Sequence, residues 1–161
     1  MSPEVSFRRS KRFDRRPDDG LDQKVIDISR VTRVMAGGKR MRFRALVVVG
    51  DHQGKVGAGL AKGADVSMAV NKATTKAKKH MIRVPVAKDT IPHQIIAKFG
   101  SSRVLLKPAP LGTGIIAGGP IRVVLGVAGI PNVVSKMLGS PNKINNVRAV
   151  LKALQSFKVK I

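Results

Sequence analysis

The sequence contains no cysteine, tryptophan or tyrosine, and aromatic residues make up only 3% of it. Without cysteine, disulfides and thiolate metal sites are excluded, as is common for proteins of a reducing cytoplasm. Proteins that bind single-stranded nucleic acid usually stack bases on aromatic side chains, and five phenylalanines are too few for an extended platform. No apolar run reaches membrane-spanning length and no signal-peptide pattern opens the chain, so no membrane partner is expected.

Acidic residues are also scarce, with 9 Asp and Glu against 31 Lys and Arg, for a formal net charge of +22. No acidic residue follows Asp89, and basic residues occur along the whole chain. A folded protein with this much self-repulsion normally has a polyanionic partner. A membrane anchor would concentrate its charge beside an apolar segment, which this sequence does not do. The composition therefore predicts recognition of structured RNA through phosphate and shape.

The hydrophobic content of 43% predicts packed domains in a chain of 161 residues. Residues 1–20 have the composition of a basic flexible tail, which either stays solvated or becomes ordered on RNA. In the first unit, strands are expected at 25–34, 41–50 and 55–62, with a turn at the sequence GGKR. A helix should follow, with Asp65 in its first turn and one apolar stripe formed by Val66, Ala69, Val70, Ala73 and Ala77. This unit is predicted to be a sheet with one helix laid across it.

A second unit begins near residue 91. Strands are expected at 95–99, 103–107 and 132–138, and a Pro- and Gly-rich loop at KPAPLGTG. The segment AGGPIRVVLGVAG predicts a helix with Pro120 in its first turn and Gly129 past its end. Ser140 and Pro141 are expected to begin a last helix. The residues of that helix expected to face inward are Ile144, Val147, Leu151 and Leu154.

Few residues suggest catalysis. His52, His80 and His93 lack metal-ligand spacing, so surface roles are expected for them. The glycine-rich LGTGIIAGG resembles a phosphate cradle but lacks the Lys-Ser/Thr ending of a P-loop and the spacing of a dinucleotide site. A nucleotide-dependent enzyme using this loop remains an alternative, against which the lack of carboxylates after Asp89 argues. The other interpretation is packing of the loop on a helix or on a neighbouring protein.

Basic side chains form the stronger candidate site. The hairpin tip carries Lys39 and Arg40. On the strand that follows, Arg42 and Arg44 share one face, and the other face carries Phe43, Ala45, Val47 and Val49. The predicted helix presents Lys72, Lys76 and Lys79 on a face beside its apolar stripe. Spread over several elements, such cations match the spacing of successive phosphates better than a single run does. A merely solvated helix face is the alternative.

Long stretches of the sequence resemble a known family. RVTRVMAGGKRMRFRALVVVGDHQGKVGAGLAKG, followed by KATTKAKK, resembles the first domain of protein five of the bacterial small ribosomal subunit. TIPHQIIAKFGSSRVLLKPAPLGTGIIAGGPIR and INNVRAVLKAL resemble its second domain, so that the similarity covers roughly residues 22–157. One departure is Ala36, which stands where the family often has Lys.

This resemblance implies an α+β fold of two small domains. Residues 21–90 would form a sheet with one helix, like a double-stranded-RNA-binding domain. Residues 91–161 would form a βαβα domain of the ribosomal protein S5 domain 2-like type, related to the left-handed βαβ fold of small-molecule kinases.

The resemblance also implies a role. The chain would be a structural constituent of the cytoplasmic ribosome, bound to small-subunit ribosomal RNA near the decoding region and the channel through which messenger RNA enters. It would contribute to subunit assembly and translational accuracy, with ribosomal proteins four and eight as neighbours and without cofactor, metal or small-molecule substrate. A free regulator that binds double-stranded RNA is the alternative, and it would bind any long duplex with comparable affinity.

The RNA-binding candidates follow from the sequence pattern and the resemblance together. The protein-four interface is implied by the resemblance alone, and changes at its positions alter fidelity in the family. The RNA-binding candidates are Arg30, Arg33, Gly37, Gly38, Lys39, Arg40, Arg42, Arg44, Lys55, Lys72, Lys76 and Lys79. The candidates for the protein-four interface are Gly112, Gly114 and Arg122.

Overall fold

A computed structural model describes residues 20–85 and 89–157 of the protein. The predicted tail at 1–20 therefore lies, except for Gly20, outside the described residues. The first sheet is antiparallel, in the order β1-β2-β3-β4. Its strands are β1 (Asp22–Met35), β2 (Gly38–Gly50), β3 (Lys55–Gly63) and β4 (Ile82–Arg83), and α1 (Val66–Lys79) lies between β3 and β4 in the chain.

A second sheet follows, in the order β5-β6-β8-β7. Its strands are β5 (Ile95–Phe99), β6 (Ser102–Pro108), β7 (Ile115–Ile116) and β8 (Val133–Met137). The helices of this half are α2 (Gly119–Ala128) and α3 (Lys143–Ser156). β7 and β8 run parallel, with α2 as the crossover between them, whereas the other pairs are antiparallel. The expected α+β architecture of two small domains is confirmed.

The hairpin of β1 and β2 extends beyond the rest of its sheet. Met35 pairs with Gly38 across a tight turn, and Gly37 has a φ of +86°, which glycine adopts without strain. β3 ends at Gly63, opposite Phe43, so residues 30–42 project as a two-stranded ribbon. We call this ribbon the arm.

Close packing of α1 on β3 explains the small residues of both elements. Ala69, Ala73 and Ala77 are completely buried against the sheet. A Cβ on Gly59 would overlap the carbonyl oxygen of Ala73, and a Cβ on Gly57 would overlap that of Ala77. The helix is thus held at a distance that only glycine in β3 allows.

Asp65 caps α1 from outside the helix, which corrects its expected place in the first turn. One carboxylate oxygen accepts from the Val66 amide at 2.7 Å, and the other accepts from the Ser67 hydroxyl at 2.6 Å. The Ser67 and Val66 hydrogen bonds lower the pKa of Asp65, because they favour the ionised carboxylate.

The two halves share one core. One face of β2 carries Phe43, Ala45, Val47 and Val49, as predicted, and this face turns toward α1. Leu46, Val48 and Val56 turn to the other side, where they belong to the same buried cluster as Val124 of α2 and Val150 of α3. The first sheet is therefore covered by α1 on one face and by the second domain on the other.

The turn between β2 and β3 caps the carboxyl end of α2. The backbone amides of His52 and Gly54 donate to the carbonyls of Val127 and Ala128 at 3.1 and 3.0 Å. The Nδ1–H of the His52 ring donates to the Gly126 carbonyl at 2.9 Å. These bonds satisfy carbonyls that the end of a helix leaves without partners, so the first domain completes a helix of the second.

The start of α3 differs from the prediction. Asn142, not Ser140, is the N-cap, and its side chain accepts from the Ile144 amide at 3.0 Å. Pro141 consequently lies before the helix. Of the residues expected to face inward, Val147 and Leu154 are fully buried and Ile144 and Leu151 are partly so.

Candidate nucleic-acid interface

Arginines converge on one face of the arm because of the register between β1 and β2. Arg33 pairs with Arg40, Val31 pairs with Arg42, and directly opposed residues share a face of an antiparallel sheet. Arg44 lies in the next row, opposite Ser29 on one side and Lys62 of β3 on the other. An open groove of about 260 Å³ is lined by Val31, Thr32, Arg33, Met35, Arg40, Arg42 and Lys62. We call this surface the arm groove.

Lys62 was missed by the sequence analysis. It is exposed near the end of β3, and it reaches the groove only because β3 pairs beside Arg44. Arg44 itself is half-buried and donates from Nε to the Ser29 hydroxyl at 3.0 Å. Strand alternation could have identified Lys62. It places Lys62 and Leu60 on one face of β3, and that face could have been matched to the face of β2 that carries Arg44.

Four of the five described carboxylates have partners away from the arm groove. Asp27 lies 2.6 Å from Lys143 and Asp22 lies 3.2 Å from the His52 ring, while Asp65 caps α1. Asp51 accepts from the backbone amides of the β2–β3 turn at 2.8 and 2.9 Å. Burial tends to raise the pKa of Asp51, but these hydrogen bonds outweigh it and the net shift is downward. In the described ranges, no ion pair neutralises the cations of the arm groove.

Not every predicted RNA-binding residue lies on this face. Arg30 pairs with Phe43 and Lys39 pairs with Val34, so both lie on the opposite face of the arm. Gly37 and Gly38, both with positive φ, form the tip between the two faces. The basic residues predicted for the hairpin therefore lie on two opposite faces of the arm.

The lysines of α1 form a separate surface. Lys72, Lys76 and Lys79 are exposed and border a second groove together with Asn71 and Thr75. Because α1 covers the face that carries Phe43, these lysines and the arm groove lie on opposite sides of the sheet.

Lys55 lies at the far end of the sheet from the tip. β2 has 13 residues between the two turns, and a strand of that length spans about 40 Å. Lys55 directly follows the β2–β3 turn. It is therefore too far from the arm groove to bind the same short stretch of phosphates.

Apolar side chains of the arm are unusually exposed. Val34 is 70% exposed, Met41 51% and Met35 46%. A two-stranded ribbon without a covering layer is marginally stable in water. These observations favour an arm that lies against a large partner.

The loop of Gly112 and Gly114 is held by a residue that the sequence analysis did not single out. Both glycine amides donate to the Asn132 side-chain oxygen at 3.1 Å. The Asn132 carbonyl in turn accepts from the Thr90 hydroxyl at 2.6 Å. A phosphate cradle needs free amides, and these two already have a partner, which weakens the nucleotide-site alternative. Arg122 is exposed on α2.

Residues 20–85 and 89–157 contain no group of three His, Cys, Asp or Glu residues that could hold a metal ion. None of their helices is both long and apolar enough to cross a membrane.

Comparison with known families gives two matches in chain order. Residues 21–85 match the family model described as ribosomal protein S5, N-terminal domain, and residues 97–159 match ribosomal protein S5, C-terminal domain. The chain is also 49% identical over 141 residues to the small ribosomal subunit protein uS5c of Spinacia oleracea. That alignment covers 87% of this chain and 46% of the spinach protein, so the chain spans less than half the length of this relative. With both domains matched in order, the chain belongs to the ribosomal protein S5 family.

Proposed function

We propose that this protein is a structural constituent of the small ribosomal subunit that binds ribosomal RNA through phosphate and shape contacts. Its place is near the decoding region and the path of incoming messenger RNA, where it contributes to subunit assembly and translational accuracy. Family membership and the relative's name support the assignment to the small ribosomal subunit, and the basic surfaces support RNA binding.

The observation that carries the proposal is the arm groove. Four cations, Arg33, Arg40, Arg42 and Lys62, line one groove on a ribbon that projects from the core. Successive rows on one face of a strand are about 7 Å apart, so the groove presents charge over a length that exceeds one phosphate. Exposed Val34 and Met41 on the other face give a bound arm additional surface to bury.

The lysines of α1 supply a second contact in this proposal. Lys72, Lys76 and Lys79 project from the layer opposite the arm groove and would lie along a separate RNA segment. In this proposal the edges of these two contacts include Arg30, Lys39 and Lys55. Gly37 and Gly38 allow the tip to approach RNA closely, because no Cβ intervenes.

A protein contact is proposed at the other domain. The loop of Gly112 and Gly114, fixed by Asn132, and Arg122 on α2 would face ribosomal protein four. Protein eight is the second proposed neighbour. The chain is assigned no catalysis, and the engagement of the two glycine amides supports that assignment.

The test is RNA binding by the variant Arg33→Ala/Arg40→Ala/Arg42→Ala. A small-subunit ribosomal RNA transcript is titrated at several salt concentrations. Since each phosphate contact contributes close to one unit to the slope of log affinity against log salt, the slope should fall by about 2 to 3. The matched control, Lys98→Ala/Lys107→Ala/Lys136→Ala, removes the same charge from the second sheet and should change the slope by less than about 1.

Equal losses in the two variants would overturn the role of the arm groove, because they would reflect net charge alone. An unrelated long RNA duplex serves as the competitor. If it binds as tightly as the ribosomal transcript, specific placement in the subunit is wrong.

A further inference from the structure

The second sheet has one face that no described element covers. Its inner face packs on α2 and α3, and Ala97, Val104 and Val133 are buried there. The outward side chains alternate with these along each strand. They comprise five aliphatic residues, Ile96, Leu105, Ile116, Val134 and Leu138, and four cations, Lys98, Arg103, Lys107 and Lys136. We call this surface the outer face.

Strand register arranges the outer face in three rows. One row runs from Lys98 to Arg103 and continues to Leu138, whose amide donates to the Arg103 carbonyl at 2.9 Å. The next row is Ile96, Leu105 and Lys136, and the third is Lys107, Val134 and Ile116.

Aliphatic groups occur in all three rows and form one band. Ile96 pairs with Leu105, Ile116 pairs with Val134, and Leu105 lies diagonally beside Val134, within reach of long side chains. Ile96 is 58% exposed, Ile116 54% and Leu138 49%. The band crosses all four strands, a width of about 15 Å.

Among the described residues, the cations around this band have no carboxylate partner. No Asp or Glu follows Asp89 in the sequence, and no ion pair among the described residues involves these four side chains. Lys98 and Arg103 stand directly opposite each other, a like-charge pair that destabilises a sheet on its own. Carboxylates arriving from outside would relieve that repulsion.

The residue types of the outer face favour protein over RNA. Phosphates would pair with the cations, but the aliphatic band gains nothing from a phosphate surface. The nine side chains include no aromatic group to stack on bases and no hydroxyl or amide to read a ribose or a base edge. An apolar centre with a charged rim is instead the common form of a protein interface.

We propose that the outer face docks a neighbouring protein whose contact surface is aliphatic and edged with Asp and Glu. We expect this neighbour to belong to the small subunit, so the inference rests on the proposed function. It concerns a different surface from the loop of Gly112 and Gly114.

The experiment is site-specific photo-cross-linking of the full chain in cells. Benzoylphenylalanine replaces Ile96 in one variant and Ile116 in a second, and a third carries it in place of Thr32 on the arm. Extracts are sedimented, and the fraction that holds the chain is irradiated. The Ile96 and Ile116 positions should cross-link to one and the same polypeptide, through a peptide rich in Asp or Glu, whereas Thr32 should cross-link to RNA.

Cross-links to ribosomal RNA from both outer-face positions would overturn the inference, as would no cross-link there while Thr32 reacts. The sedimentation position of the chain tests the proposed function separately. A chain absent from the small subunit contradicts that function, while the cross-links in its own fraction still test the outer face.

A second variant tests the energetic role of the band. With benzoylphenylalanine in place of Leu138 as reporter, Ile96→Ser/Ile116→Ser should lower the cross-link yield about tenfold, since the two substitutions remove apolar surface that docking would bury. The control Val25→Ser/Ile28→Ser changes two similarly exposed residues of the first sheet and should leave the yield unchanged. Equal yields in both variants would contradict the inference.

Discussion

At the scale of single residues, Asn132 shows how a buried polar side chain holds a surface loop in place. It is only 6% exposed, and its side-chain oxygen holds the amides of both Gly112 and Gly114. The glycine-rich pattern marked the two glycines as candidates, but no pattern marked Asn132, which lies 18 positions from Gly114 and 20 from Gly112. Only the folded chain brings these groups together.

Replacement of Asn132 by Ala should loosen this loop. Two partly buried hydrogen bonds would be lost, and at about 0.5–1.5 kcal/mol for each the free energy of unfolding should fall by about 1–3 kcal/mol. Hydrogen exchange at the Gly112 and Gly114 amides should accelerate at least tenfold, which is about 1.4 kcal/mol in local stability. Mass spectrometry of exchanged peptides measures both effects.

Ser135→Ala on β8, three positions after Asn132, is the matched control. Its buried hydroxyl has no hydrogen-bond partner among the described residues, so its removal should be neutral or slightly stabilising. Unchanged exchange in Asn132→Ala would show that the loop is held by something else.

At the scale of elements, hydrophobic periodicity predicted the long strands and all three helices. The face of β2 that carries Phe43 and Val47 and the buried alanines of α1 were confirmed. The strands β4 and β7 were missed because two residues are too short to show a period. The cap of α3 was misplaced because Ser140 and Asn142 are both good N-caps, and backbone geometry selected the second.

The packing of α1 on β3 gives a prediction at this scale. Gly59→Ala should push the helix away from the sheet, since the new Cβ overlaps the Ala73 carbonyl oxygen. Such overpacking typically costs about 1–3 kcal/mol, so thermal unfolding should occur several degrees lower. Gly119→Ala is the control, because its Cβ would enter open space at the start of α2. A Gly59→Ala protein as stable as the control would contradict the close contact.

At the scale of the whole molecule, composition indicated the class of partner and the resemblance indicated the order of the domains. The interdomain packing was not predicted. Leu46 and Val48 lie on the same side of β2 as Arg42, yet they are buried by the second domain while Arg42 is exposed at the arm. Alternation identifies a face of a strand, but it does not show how far along that face a neighbour extends.

Composition likewise did not predict where the basic residues lie on the fold. The excess of basic residues predicted phosphate binding but not that the arm groove and the α1 lysines lie on opposite sides of one sheet. The domain limits at 1–20, 21–90 and 91–161 and the individual RNA contacts stay predictions.

The most direct test of the central claim is sedimentation of tagged protein with small ribosomal subunits from cells, washed in low and then moderately high salt. The intact chain should remain with the small subunit after the wash, because the proposed contacts on both sides of the sheet and at the second domain would act together. The variant Arg33→Ala/Arg40→Ala/Arg42→Ala should be released at lower salt than the intact chain. An intact chain that sediments free, or is stripped by modest salt, would contradict a specifically docked subunit protein.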